Sequence, residues 1–264
     1  LTDCNTLYPG SRKNALEHLY CAWENGFTPM TVGCPILIGD GLKGTDDVEV
    51  PVEGGEYVKA AKIGRAVMDA DIFISLSHFK GHEQTGFGGA LKNIGMGCGS
   101  RAGKMEMHSS GKPVVKREKC VGCRACAIIC AHGAPQFDEE GKADIDINQC
   151  AGCGRCLTIC PKDAIAARND AAPAILNKKM AEYSKAVVNG RPCFHISLVI
   201  DVSPHCDCHS ENDVPLVPNV GMFASFDPVA LDQACADACL NAQPLPNSQL
   251  GQNLAKPGWN CHHD

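Results

Sequence analysis

The chain of 264 residues contains no apolar run long enough to span a membrane, and no stretch with the basic, apolar, small-residue order of a signal peptide. No membrane span is expected from these residues. Basic charge is not in excess either. Lys and Arg number 24 and Asp and Glu 30, a formal net charge of −6, which argues against nucleic acid or an anionic membrane as the main partner. The phosphate-binding loop GxxxxGK[ST] is missing, and no GxGxxG lies directly between a strand and a helix with a suitable acid downstream. NAD and nucleotide binding are set aside on that basis, whereas flavin has no fingerprint by which to dismiss it. The chain opens on Leu1 rather than Met, which suggests a trimmed segment.

What the chain has in excess is cysteine, 18 in all. In a small secreted protein that number would imply a disulfide framework. Here the chain is long, its apolar content of 44% suffices for a core, and eight cysteines cluster at metal spacing. Metal binding in a reducing, cytoplasmic setting is the better expectation.

The eight cysteines form two copies of one pattern. The first is Cys120-x2-Cys123-x2-Cys126-x3-Cys130, and the second is Cys150-x2-Cys153-x2-Cys156-x3-Cys160, followed by Pro161. The repeat matches the bacterial two-cluster ferredoxin pattern, in which the fourth cysteine of each run serves the other cluster. Carried onto this chain, the resemblance implies two 4Fe–4S clusters. One takes Cys120, Cys123, Cys126 and Cys160, and the other Cys150, Cys153, Cys156 and Cys130. Glycine and small apolar residues between the ligands let backbone N–H groups approach sulfur and keep water out. Ala131 departs from the pattern, standing where the first run would carry a proline, but it removes no ligand. Structural zinc is the competing reading of CxxC pairs, and it does not call for the repeated three-plus-one spacing.

Around this segment, apolar strands alternate with helical patterns, which favours an α/β fold with a helix-covered, mostly parallel sheet. Residues 11–26 read as a helix capped by Ser11 and stopped by Gly26, and residues 30–41 as a buried strand. Residues 48–63 read as a hairpin around Gly54-Gly55, 71–77 as a strand and 88–97 as a short helix. Later come a helix over 172–190, a strand over 193–202, and a helix over 227–240 with Asp227 as cap and Pro228 in its first turn. The expected domains are 1–111 and 169–264 as two parts of one α/β domain, with 112–168 as the inserted two-cluster unit.

Two stretches carry further chemistry. "SHFKGHEQTGFGGALKN" (77–93) gathers His78, His82 and Lys92 after a strand, where ligands bind in open α/β sheets. Their histidines read equally as acid/base groups or as loop residues capping the next helix. "HCDCH" (205–209) offers His205, Cys206, Cys208 and His209 on an irregular turn after a strand. Two thiols spaced one residue apart can face one ion, and soft donors favour a third iron–sulfur or zinc site over magnesium or calcium. Cys98, His78 and His82 complete the pool of donors. A reduced surface loop is the bland alternative. Cys4, Cys21, Cys34 and Cys193 read as core thiols. Cys235 and Cys239, four apart on one helix face, read as packing residues.

The segments "LTDCNTLYPGSRKNA", "LSHFKGHEQTGFGGALKNIGMGCGSRAGKMEMH" and "GMFASFDPVALDQA" flank the cysteine runs in fixed order. Together they resemble the family called domain of unknown function 362, in its ferredoxin-containing form. The resemblance implies an α/β domain with the two-cluster insert, found mostly in anaerobes, with further elements before the "LTD" strand and a short extension after "GWNCHHD". It assigns no reaction. The expected function is iron–sulfur electron transfer to a redox partner protein, with oligomeric state open. Two alternatives are a redox enzyme whose clusters feed a catalytic site near His78 and His82, and a scaffold for metalloenzyme assembly, which would show an exposed apolar patch.

Overall fold

The computed structural model of the chain describes residues 1–7, 10–108, 112–168, 173–208 and 212–256. The chain divides into two compact units, Leu1–Asp71 with Gly95–Asn189, and Ile72–Ile94 with Gly190–Asp264. The fold is mixed α/β, but not one mostly parallel sheet. The described residues form six small sheets, with parallel pairs at Thr2–Asp3 with Leu37–Ile38 and at Phe73–His78 with Cys193–Val199. The other pairs are antiparallel.

In the first unit the hairpin Asp47–Pro51 with Ala60–Gly64 forms as expected. The expected strand over 30–41 does not. Thr28 and Thr31 make a capping box, Pro29 starts a one-turn helix Pro29–Val32, and Gly33 ends it at φ 71°, leaving only Leu37–Ile38 in a strand. The helix Ala15–Glu24 is capped by Asn14 rather than Ser11. The helix Pro173–Val188 is tied down along its length. Glu182 accepts backbone N–H groups of Glu56 and Val58, each at 2.7 Å, and buried Tyr183 donates to Glu106 Oε2 at 2.6 Å. A Cβ on Gly103 would stand 2.4 Å from the Lys62 carbonyl and 2.8 Å from the Tyr183 ring, so only glycine admits this approach.

Two further antiparallel pairs, Pro113–Val115 with Ile165–Ala167 and the hairpin Pro135–Phe137 with Ala143–Ile145, frame two one-turn helices, Ala125–Ile129 and Arg155–Ile159. Their core mixes apolar side chains with sulfur: Leu7, Met105, Leu157 and Ile165 pack with Cys120, Cys126 and Cys160.

The second unit is built on a three-stranded sheet. Cys193–Val199 lies between Phe73–His78, parallel, and Gly221–Ser225, antiparallel. The sheet's polarity is the reverse of the usual one. Ser75, Ser77, His195 and Ser197 are buried, while Ile74, Leu76 and Met222 are exposed. The helix Pro228–Asn241, capped by Asp227 with Pro228 in its first turn, packs on the strand Cys193–Val199. A short hairpin, Lys80–His82 with Gly86–Gly88, follows the strand Phe73–His78 and is held by stacked Phe79 and Phe87, 5.0 Å between centroids.

Candidate metal centres

The two cysteine runs repeat one backbone device. Arg124 at φ 62° and Gly154 at φ 69° take the left-handed conformation, and each opens a one-turn helix. The third cysteine of each run, Cys126 or Cys156, sits in that helix, and the fourth, Cys130 or Cys160, ends it. The two helices pack on each other, so each hands its last cysteine across to the other run. One cavity is lined by Cys120, Cys123, Cys126 and Cys160. A second is lined by Cys130, Cys150, Cys153 and Cys156.

Backbone N–H groups point at these sulfurs: Ala143 to Cys120 at 3.4 Å, Ala164 to Cys160 at 3.3 Å and Gly152 to Cys150 at 3.4 Å. The first of these holds the Cys120 thiol below its ordinary value. Burial, then the neighbouring Cys150 and Cys153, pushes Cys156 up to about 12, and burial raises Cys126. Sulfurs crowded this closely carry negative charge poorly on their own and well around a cation. The cavities, their donors and their crowding fit a thiolate-bound cluster in each.

The second unit brings together a different set. One ligand atom from each of His82, Cys206 and Cys208 lies within 4.8 Å of the others. His82 comes from the hairpin, and the cysteines from the turn after the strand Cys193–Val199. Lys92 Nζ donates to Cys206 Sγ at 2.9 Å. Lys92 stands in the first turn of the helix Ala90–Cys98, whose opening N–H groups at Ala90 and Leu91 are taken by Asp232 at 2.6 and 2.9 Å. Burial raises the Asp232 carboxyl, and those two N–H groups oppose it. The hydrogen bond from Cys208 lowers the Cys206 thiol most, helped by His82 and Lys92 and opposed by burial. Cys208 is raised in turn by that bond to Cys206.

His78 plays a supporting part. Its Nδ1 lies 2.8 Å from Asp207 Oδ2 and its Nε2 2.8 Å from the Ile200 carbonyl. A carboxylate and a carbonyl can only accept, so both ring nitrogens carry protons. The Asp207 bond raises His78 accordingly. Burial works to raise Asp207, but His78 and Lys80, the latter at 3.1 Å, hold it down at about 2. In this arrangement both ring nitrogens of His78 are engaged, by Asp207 and by the Ile200 carbonyl, so neither offers a lone pair to an ion.

Of the other expected donors, His205 is outside the cluster and gives its carbonyl to Ser203 Oγ at 2.8 Å. Cys98 belongs to the first unit, where its carbonyl accepts from Cys4 Sγ at 3.5 Å. Cys4 is buried as expected, whereas Cys21, Cys34 and Cys193 are partly exposed. Cys235 is buried and Cys239 partly exposed on their shared helix. His209 and Cys261 lie outside the described residues. Asp207 and Asp232 were not among the expected site residues. The one available signal was Lys92 itself, a cation in a first turn where the helix dipole disfavours it.

Residues 1–237 match the family model described as Domain of unknown function (DUF362). Among solved structures, the chain is similar to the lactate racemase apoprotein from Thermoanaerobacterium thermosaccharolyticum, at 13% identity and a TM-score of 0.44. That likeness covers 83% of this chain and 37% of the other, so the chain spans well under half of that protein's length. No curated protein matches the chain. Among the described residues, no helix is long and apolar enough to cross a membrane.

Proposed function

The chain belongs to the DUF362 family, whose description names no reaction, and we propose that it is an iron–sulfur electron-transfer protein holding two 4Fe–4S clusters. The observation that carries this reading is the crossed lining of the two cavities, each with three cysteines of one run and the last cysteine of the other. In the proposal Cys120, Cys123, Cys126 and Cys160 hold one cluster, Cys130, Cys150, Cys153 and Cys156 the other, and residues 112–168 act as a two-cluster ferredoxin domain. Each cluster, when bound, accepts and returns one electron. The chain's own residues do the rest. Ala143, Ala164 and Gly152 donate N–H groups to sulfur, which stabilises the more negative, reduced state. Phe137, Ile165 and Ile145 line the cavities and limit water. A structural zinc pair uses four ligands per ion but does not require the exchange of a cysteine between runs. Anaerobic purification should give about eight irons per chain and a broad visible absorption that bleaches on reduction. Two zincs per chain and no colour would overturn the proposal.

A second reading, a docking or scaffold role beside electron transfer, is favoured by one observation in the second unit. Phe194, Ile196 and Leu198 share the sheet face of Ile74, Leu76 and Met222, and Phe226 packs edge-on against Phe194 at 5.0 Å. Ile74, Leu76, Met222 and Phe226 are each at least 60% exposed. A contiguous apolar face of this kind marks an interaction surface, and a redox partner protein is the occupant that the electron-transfer reading requires.

A further inference from the structure

We propose that His82, Cys206 and Cys208 hold a single borderline-soft divalent ion, zinc or ferrous iron, separate from the two cysteine-run cavities. The site lies in the second unit and does not depend on the iron–sulfur reading.

Three arrangements carry the inference. The first is convergence: donor atoms from two chain segments lie within 4.8 Å of one another, and Cys206 is 3% exposed. Two sulfurs and an imidazole suit zinc or iron and are wrong for calcium or magnesium, which take oxygen. The second is the join between the segments. Gly81 donates its N–H to the Ser203 carbonyl at 2.8 Å, and a Cβ there would stand 2.4 Å from the Pro204 carbonyl. Only glycine lets the His82 hairpin press this closely on the cysteine turn, so the donors are brought together before any ion arrives. The third is the layer behind. Asp207, between the two cysteines, is drawn off by His78 and Lys80. That holds the turn with the Asp207 side chain turned to His78 and Lys80 while Cys206 and Cys208 converge with His82. Lys92 adds an N–H donor to Cys206, the second-layer contact expected around a ligating thiolate.

The ligands are unequal. His82 Nδ1 accepts N–H from Gln84 at 3.0 Å and from Thr85 at 3.3 Å, which leaves Nε2 to face the sulfurs. Coordination through Nε2 asks Nδ1 to carry the ring proton, and those two N–H groups oppose it. The cysteines therefore supply most of the affinity and His82 the third, weaker bond.

The test uses the full chain, purified anaerobically, exposed to Zn²⁺ and desalted. Zinc and iron are counted together, and zinc-edge X-ray absorption reports the ligands. The proposal expects one zinc per chain with two sulfurs at about 2.3 Å and nitrogen at about 2.0 Å. The Cys206→Ser, Cys208→Ser double variant should lose that zinc with iron unchanged. His82→Gln, which can still accept the loop N–H groups, should keep the zinc at saturation but need about tenfold more of it. No zinc in the native chain, a zinc count unmoved by the double variant, or a four-sulfur absorption fit would each overturn the site. If the double variant fails to fold, the absorption fit on the native chain and the His82→Gln titration decide. Absent iron with the zinc site intact would count against the electron-transfer reading and leave this one standing.

Discussion

Lys92 Nζ stands 2.9 Å from Cys206 Sγ, although the two residues lie 114 apart in the chain. A cation in the first turn of a helix is disfavoured by the dipole, and here Asp232 and the sulfur compensate it. Replacing Lys92 by Met keeps the stem and removes the donor. A hydrogen bond to a charged group contributes about 1.5–3 kcal/mol. The Met variant should therefore lose zinc to a chelator at roughly tenfold lower chelator concentration, or lower still. Equal retention in the two proteins would show that Lys92 plays no part in holding the site.

Gly81 makes the site's stability depend on one missing methyl group. In Gly81→Ala the new Cβ meets backbone, the Pro204 carbonyl at 2.4 Å, not a side chain that can swing aside. One of the two segments must move. The expected cost is about 1–3 kcal/mol of stability in the second unit, together with weaker zinc binding. Thermal unfolding beside a zinc titration checks both, and an Ala variant as stable as the parent would mean that the contact yields easily.

Much of this was legible in sequence, and the limits have physical causes. The cysteine runs declare themselves because ligand spacing is a local property of the chain. Asp227-Pro228 announced a helix start that the structure places there, since capping is also local. The stretch 30–41 misled because its apolar content resembles a strand, while the deciding signal, Thr28-Pro29, lay just before it. The two strands of the second unit alternate clearly, yet alternation does not say which face is covered. Here the covered face is the polar one, with Ser75 bonded to His195 at 2.9 Å. His82 joined to Cys206 and Cys208, with His78 demoted to support, depends on tertiary approach that no spacing rule encodes.

His195 gives the second unit an acid weakness. It is wholly buried, and its Nε2 has no hydrogen-bond partner, while Nδ1 meets Ser75. Burial lowers its affinity for a proton, with Asp227 opposing weakly. The unfolded chain therefore binds a proton near the ordinary value of about 6.5 that the folded chain refuses, and stability falls as pH drops below that value. His78 is raised and acts in the opposite sense, lending stability at low pH that is lost as pH rises. The useful quantity is thus a difference. His195→Leu should flatten the loss of unfolding temperature between pH 7.5 and 5.5 relative to the parent, and an unchanged slope would assign the acid sensitivity elsewhere.

Cys160 belongs to the second run yet lines the cavity of the first. The crossed assignment makes this residue the sharpest probe of the proposed clusters. In Cys160→Ser, the cavity of Cys120, Cys123 and Cys126 loses its fourth thiolate, while Cys130, Cys150, Cys153 and Cys156 stay complete. Iron should fall from about eight to about four per chain, or to about seven if the weakened site keeps a three-iron cluster. Electron paramagnetic resonance of the reduced protein should then lose the coupling between two clusters and show one isolated signal. Had each run served its own cluster, the same substitution would instead damage the site of Cys150, Cys153 and Cys156. A second substitution separates these cases. Combining Cys160→Ser with Cys123→Ser strikes one site in the crossed arrangement and two in the uncrossed one. The double variant should therefore retain the isolated signal of an intact four-iron cluster, and loss of that signal would refute the crossing.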